Sequence, residues 1–297
     1  MTELYKLMKT SSNDFKPSTQ FKNNKQDDET TANHRQLEVA QVLAKIKRLQ
    51  YNRSYRDKKG LFFAEGIRNF VEAVDQGFPI DALLYSEKLL ISPVARKLVR
   101  RLKRDGVPFA RVSPEQFRII SKTEHASGVG AIFHQQVQKL DQIKPNDHIC
   151  WTVLSNIRSL GNFGTLLRTS TAIGASGFIL VGDNIDPFDP NVVRATMGAI
   201  FKQKIVRTTI EQLHSWIKLY KLQVIGASPS GLVDYDRVSY THPTILMLGN
   251  ERSGLTQEEQ AMCQNIVRIP MIDGMDSLNV AVAGSLLLYE VFRATTR

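Results

Sequence analysis

Three short stretches carry the residues of this chain best placed to do chemistry. They are "SLGNFGTLLR" with Asn162 and Arg168, "LGNERSGL" with Leu248, Gly249 and Glu251, and "PMIDGMDSLN" with Met271, Ser277, Leu278 and Asn279. Each follows an apolar run and leads toward a helical pattern, which places all three at the carboxyl edge of an α/β sheet, where ligands bind. Taken singly, each has a plain explanation. Asn162 and Gly164 read as turn residues, Arg168 as an exposed helical arginine, and Gly249 and Gly254 as chain punctuation. Ser277 reads as the cap of the last helix. Asn279, two residues inside that helix, fits less easily, because asparagine is a poor helix former and stands here in an apolar stretch.

Two commoner chemistries fail on the residues. In "GASPSGLV" the spacing of Gly226 and Gly231 is that of a phosphate loop, but Leu232 and Val233 stand where lysine and a hydroxyl residue would reach phosphate and metal. No G-x-G-x-x-G opens a helix. Two cysteines, Cys150 and Cys263, and six histidines without an H-x-x-x-H pair give no metal centre and no disulfide framework. The expectation is a metal-free protein in a reducing, cytoplasmic setting.

The elements that must position these loops are legible from periodicity. Residues 1–37 are polar and aperiodic and read as a disordered arm. From there "LEVAQVLAKIKRLQ" reads as a helix, "GLFFAEGIRNFVEAVDQG" as strand then helix, and "IDALLYS" as a strand. "SPVARKLVRRLKRDG" follows as a helix capped by Ser92, with "VPFARVS" and "GVGAIF" as further strands. This is a small α/β unit over 38–135, and the polar stretch 136–148 reads as a linker. A second α/β series occupies 149–297. Its strands are "ICWTVLSNI", "GFILVG", "KIVRT", "LQVIGASP", "TILMLGN" and "IVRIPM", continuous apolar runs that suit a parallel sheet covered on both faces. "GNFGTLLRTSTAIGA" reads as a turn and helix, "PNVVRATMGAIF" as one helix, and "TQEEQAMCQN" as a helix capped by Thr256.

Net charge points to the partner. The chain of 297 residues carries a formal charge of +10 and a sequence pI near 9.6, which favours a polyanion, since each neutralised phosphate releases a counterion. Lys45, Lys47, Arg48, Arg53, Arg56, Lys58 and Lys59 face one acid, Asp57, and Arg96, Lys97, Arg100, Arg101, Lys103 and Arg104 crowd one helix. That density points to nucleic acid as the partner of the first unit. No apolar run reaches the roughly 18 residues that a membrane span needs, so no membrane partner is expected.

In order and spacing, the three loops together resemble the SpoU (TrmH) family of RNA ribose 2′-O-methyltransferases in the SPOUT superfamily. The resemblance runs from Trp151 to Phe292 through "GNFGTLLRTSTAIGA", "LMLGNERSGL" and "RIPMIDGMDSLNVAVAGSLLLYE". More weakly, "NRSYRDKKGLFFAEGIRNFVEA" resembles the small ribosomal-protein-like substrate-binding domain of rRNA-modifying members. Departures are mild: Arg252 in "GNERSG", and "NIRSLGNFG" in place of a proline-containing turn.

That resemblance implies a trefoil-knotted parallel sheet, a homodimer, and S-adenosylmethionine held by Leu248, Gly249, Ile269, Met271 and Leu278. It implies a catalytic set of Asn162, Arg168, Glu251, Ser277 and Asn279. The family's account has the arginine activate the 2′-hydroxyl; because a guanidinium seldom gives up its proton, the expectation here is instead that Arg168 fixes the target phosphate and stabilises the developing alkoxide, that Asn162, Ser277 and Asn279 orient the ribose, and that Glu251 holds Asn162 or Arg168. The resemblance favours ribosomal RNA of the 23S type as substrate. A transfer-RNA 2′-O-methyltransferase and a non-catalytic RNA-binding member of the same fold are the alternatives.

Overall fold

The computed structural model describes residues 36–145, 150–241, 243–273 and 275–296. Most of the segment read as an arm therefore lies outside the described residues. The first unit forms because short apolar strands alternate with helices whose apolar faces they cover. Helix α1 (Val39–Tyr51) buries Val42, Ile46 and Leu49 at helical spacing. A short basic helix α2 (Arg53–Lys59), which sequence periodicity misses, is capped by Asn52 accepting from the Tyr55 N–H and ends at the left-handed Gly60. Strand β1 (Leu61–Glu65), helix α3 (Ile67–Asp75), strand β2 (Ile80–Tyr85), helix α4 (Pro93–Arg104) and strand β3 (Phe109–Arg111) follow. Helix α5 (Pro114–Ile120), with a Ser113–Gln116 capping box, and strand β4 (Val129–His134) complete the unit. The sheet order is β1-β4-β2-β3. As expected, α4 begins at Pro93 under the Ser92 cap.

The second sheet holds eight strands, and every pairing within it is parallel. Its strands are β5 (Gln138–Lys139), β6 (Cys150–Ser155), β7 (Gly177–Val181), β8 (Lys204–Thr208), β9 (Gln223–Ala227), β10 (Val233–Asp234), β11 (Thr244–Leu248) and β12 (Asn265–Arg268). Helices α6 (Leu160–Ala172), α7 (Pro190–Thr196), α8 (Ile210–Tyr220), α9 (Gln257–Met262) and α10 (Val280–Thr295) connect and cover them. The order is β10-β12-β9-β11-β6-β7-β8-β5. After the edge strand β5 the chain enters the middle at β6, runs outward through β7 and β8 to meet β5, then crosses to the other side. The switch point falls between β6 and β11, where the outgoing loops diverge and leave a crevice.

The structure departs from the sequence reading in three places. The stretch read as a linker supplies β5, which pairs with β8, and Leu140 and Ile143 enter the core, where the Trp216 indole donates to the Ile143 carbonyl at 3.0 Å. "PNVVRATMGAIF" is not one helix: Met197 (φ 50°) and Gly198 (φ 95°) turn left-handed after α7. The break turns Phe201 into an aromatic cluster with Phe62, Phe78 and Phe133. A Cβ on Gly198 would lie 3.2 Å from the Glu72 side chain, so a glycine permits both the turn and the close passage.

The third departure concerns charge. Arg56, counted with the nucleic-acid-facing basic residues, is buried, its side chain 3% exposed, against Asp186, 5% exposed. Its guanidinium donates to Asp186 and, at 2.7 Å, to the Leu49 carbonyl. Asp189 stands 3.6 Å away. Lys45 is likewise paired, at 2.7 Å, with Asp81. The Arg56 pair crosses from α2 to the segment after β7, and Phe62 packs on Phe188 at 4.7 Å beside it. A charge lost from such a pair leaves the other buried alone. Arg56→Ala is expected to lower the unfolding free energy by about 3–5 kcal/mol in urea denaturation. A loss within about 0.5 kcal/mol, the range of ordinary surface substitutions, would show the pair to be solvated.

Candidate active site

The three loops meet at the switch point, each held by its own local device. Ser159 caps α6, accepting from the Asn162 N–H at 3.3 Å. "GNFG" is therefore the first turn of the helix and not a turn before it, and Asn162 projects from the helix mouth. A Cβ on Gly164 would meet the Ala195 Cβ at 2.6 Å, so glycine lets α6 and α7 touch. After β11, the chain doubles back through paired backbone bonds between Asn250 and Gly254. The Asn250 carbonyl oxygen of the side chain accepts from the Arg252 and Ser253 N–H groups, and its amide donates to the Asn156 carbonyl at 2.8 Å. A Cβ on Gly249 would lie 2.3 Å from the Gly254 carbonyl, so no larger residue fits this fold-back. Gly284 has the same role in α10, where a Cβ would lie 2.6 Å from Leu166 and 2.7 Å from Leu248.

One polar chain links the three loops. Glu251 accepts from the Arg158 N–H at 3.2 Å, the Ser159 N–H at 3.1 Å and the Asn162 amide at 3.3 Å. The Asn162 side-chain oxygen accepts from the Asn279 amide at 3.0 Å. The Asn279 oxygen in turn accepts from the Ala281 and Val282 N–H groups at 2.8 and 3.4 Å. Every amide orientation follows from the two ends. An ionised carboxylate only accepts and a helix N-terminus only donates, so both asparagines must point their NH2 groups toward Glu251. Burial pushes the Glu251 carboxyl up, but the N–H groups of Glu251, Ser159 and Arg158 and the Asn162 amide outweigh it and hold the group below its ordinary range. It is ionised at neutral pH.

This chain corrects one expectation. Asn279, and not Ser277, is the N-cap of α10. Its poor fit as an interior helical residue disappears, because it is not interior. Of the two partners weighed for Glu251, the structure supplies Asn162; no ion pair of the described residues includes Arg168.

Beside the polar chain opens a cavity of about 370 Å³. Leu248, Gly249, Ile269, Met271 and Leu278 all line it, and Asn162, Glu251, Ser277 and Asn279 stand along the same wall. Its size falls within the roughly 300–1,000 Å³ usual for small-molecule sites. Arg168 is exposed and does not line it. Helix geometry accounts for this: six residues along α6 carry Arg168 about 9 Å from Asn162 and onto another face. The sequence reading missed Asn250, the Ser159 cap, and Ala227, Ser228 and Pro229 at the end of β9 and just beyond it, which also line the cavity. Asn250 is detectable in principle, since an Asn at the start of Asn-Glu-Arg-Ser-Gly favours a side-chain-closed turn.

A family model described as SpoU rRNA Methylase family matches residues 150–289, and an MRM3-like substrate binding domain matches 26–131. The chain is 30% identical over 249 residues, 82% of its length and 86% of the relative's, to a 23S rRNA (uridine(2479)-2′-O)-methyltransferase of Streptomyces viridochromogenes. Among solved structures, an AdoMet-bound rRNA methyltransferase from Sinorhizobium meliloti superposes with a TM-score of 0.80 at 31% identity, covering 88% of this chain and 98% of that one. The SpoU methyltransferase AviRb from Streptomyces viridochromogenes, in complex with AdoMet, superposes at 0.76 with 28% identity, covering 85% and 97%. Loop order, switch-point cavity and overall likeness agree, and the chain belongs to the SpoU rRNA methylase family.

Proposed function

We propose that this protein is an RNA 2′-O-ribose methyltransferase that uses S-adenosylmethionine and acts on ribosomal RNA of the 23S type. The observation that carries the reading is the apolar cavity bordered by one directed polar chain, Glu251 to Asn162 to Asn279. Leu248, Gly249, Ile269, Met271 and Leu278 would hold the cofactor, and the apolar lining fits it. The bound cofactor supplies an activated methyl group on a cationic sulfur, whose charge is lost as the methyl moves to oxygen.

Apolar walls favour that loss of charge, and the residues at the rim orient the acceptor. Asn162 and Asn279 are locked by their mutual bond and present a fixed polar edge to the ribose. Ser277 is exposed beside them. Arg168 binds the target phosphate and stabilises the developing alkoxide through its N–H groups; a guanidinium seldom gives up its proton and is a poor base.

Arg168 lies off its own cavity but beside an exposed apolar strip of α10, Val282, Leu286 and Tyr289. The Thr169–Ser285 hydroxyl contact at 2.9 Å fixes that neighbourhood. The strip supports a homodimer in which Arg168 serves the partner's cavity. We further assign 38–135 to substrate binding, with Lys97, Arg100, Arg101 and Arg104 of α4 exposed to RNA, and 149–297 to catalysis, with β5, Leu140 and Ile143 of the stretch between them packed into the second sheet. The close passages at Gly249 and Gly284 suit a trefoil knot in the catalytic part. Among the described residues no helix is long and apolar enough to cross a membrane. The free thiols Cys150 and Cys263 fit the reducing cytoplasm.

Labelled methyl transfer to unmodified ribosomal RNA, followed by alkaline hydrolysis, tests the activity: the product should resist cleavage at one nucleotide. Label on a base would overturn the ribose assignment. Asn279→Asp keeps the helix cap but opposes the Asn162 oxygen with a second acceptor. Stability should stay within about 0.5 kcal/mol while turnover falls about 100-fold. Asn279→Ala should lose both turnover and about 1 kcal/mol. Wild-type turnover in Asn279→Asp would dismiss the polar chain. For the dimer, mixing inactive Arg168→Ala with inactive Asn279→Asp should restore about a quarter to half of the activity, whereas no recovery in mixed dimers would place Arg168 in its own subunit's site.

A further inference from the structure

The fold-back after β11 is a wall with a cavity on each side. Opposite the cavity described above lies a smaller one of about 250 Å³, lined by Asn156, Arg158, Asn184, Asn250, Ser253 and Glu259, with Ser155, Gly254 and Thr256 completing it. No aliphatic or aromatic side chain takes part. A shallow groove skirts the end of the wall and shares Glu251 and Arg252 with the first cavity and Arg158 and Asn250 with the second.

We propose that this groove and the polar cavity behind it seat the nucleotide next to the methylated one, with its phosphate held between Arg158 and Arg252. The proposal rests on the RNA reading above and adds a subsite to it. Both guanidiniums are exposed, and no ion pair of the described residues includes either. Glu251 stands between them, but its carboxylate is committed to the Arg158 and Ser159 N–H groups and to Asn162. The three side chains together keep a net positive charge.

Both arginines are also pinned at the backbone. The Arg158 N–H is held by Glu251, and the Arg252 N–H by the Asn250 side chain at 2.9 Å. A pair of cations whose main chains are fixed before binding loses less freedom when a phosphate arrives, which favours affinity. Paired guanidinium forks match phosphate oxygens, whereas an apolar ligand would find nothing to bind in the cavity behind.

That cavity is built to take hydrogen bonds. Asn156 is left-handed at φ 53°, an unusual state for a non-glycine residue. Its carbonyl is held by Asn250, and its side-chain oxygen accepts from Asn184 at 2.8 Å. The Ser253 hydroxyl has no hydrogen-bond partner among the described residues and lines the same space. A sugar or base edge offers complementary donors and acceptors, and sequence in RNA is read on unstacked nucleotides of this kind. The larger cavity would take the cofactor and the acceptor ribose, and the smaller one the neighbour that sets context.

The test uses the full-length protein and an unmodified 23S-type rRNA transcript. In Arg158→Ala/Arg252→Ala the slope of log affinity against log salt should fall by about 0.7, the share of one single-stranded phosphate contact. KM for the transcript should rise about tenfold with kcat within about twofold, and the S-adenosylmethionine Kd should not change. The Lys/Lys double variant should recover the slope, since charge alone sets it. An unchanged slope and KM in the Ala/Ala variant overturns the proposal, as does a loss of cofactor affinity, which would show Arg252 serving the first cavity that it also borders and not the groove. A wild-type protein that neither binds S-adenosylmethionine nor methylates the transcript removes the activity itself, a failure visible before any variant is made.

Discussion

The side chain of Asn279 satisfies two opposite demands with one amide. Its oxygen closes the exposed N–H groups at the start of α10, and its nitrogen donates to Asn162 at the mouth of α6. Neither alternative residue type can do both. A serine caps but reaches only one partner, and an aspartate caps but has no hydrogen to give. The start of α10, the orientation of Asn162 and the position of Glu251 are thereby set as one unit. The packing agrees with it, because Gly284, one turn further on, lets α10 settle against Leu166 and Leu248 and seal the cavity floor.

The loop after β11 gives the site its two-sided character. Asn250 closes it locally and ties it to Asn156, so its two faces present different chemistries at fixed positions. Apolar residues from β9, β11, β12 and α10 cover one face, and hydroxyl, amide and charged groups cover the other. A mobile loop could not keep an apolar pocket and a polar one at fixed positions on its two sides. A buried Glu259, bonded to Ser155 and to the Thr256 N–H, holds the end of the same loop to β6.

The first unit is joined to the second sheet by packing as well as by chain. Arg56, Asp186 and the Phe62, Phe188 and Phe201 rings form an interface that is expensive to open, because parting it exposes aromatic surface and strands a buried charge. Lys202 meets Glu72 across the same boundary at 2.9 Å. Such a joint holds α4 and the switch-point crevice in a single frame.

The sequence by itself determined the apolar strands, the parallel arrangement, the three loops at one sheet edge and the residues that resemble a methyltransferase. Those features are local: a strand is a run of β-branched residues, and a loop is a glycine or asparagine at its end. Only the tertiary structure decided what the polar groups do. Glu251 could have held Asn162 or Arg168, and the choice depends on a bond between residues 89 positions apart. Arg56 looked like one more nucleic-acid contact until its partner, 130 residues away, was placed beside it. Asn279 was an oddity because its helix was assumed to begin two residues early. A boundary set by a single side chain's hydrogen bonds leaves no periodicity to read, since hydropathy records which face is buried and not which donor meets which acceptor.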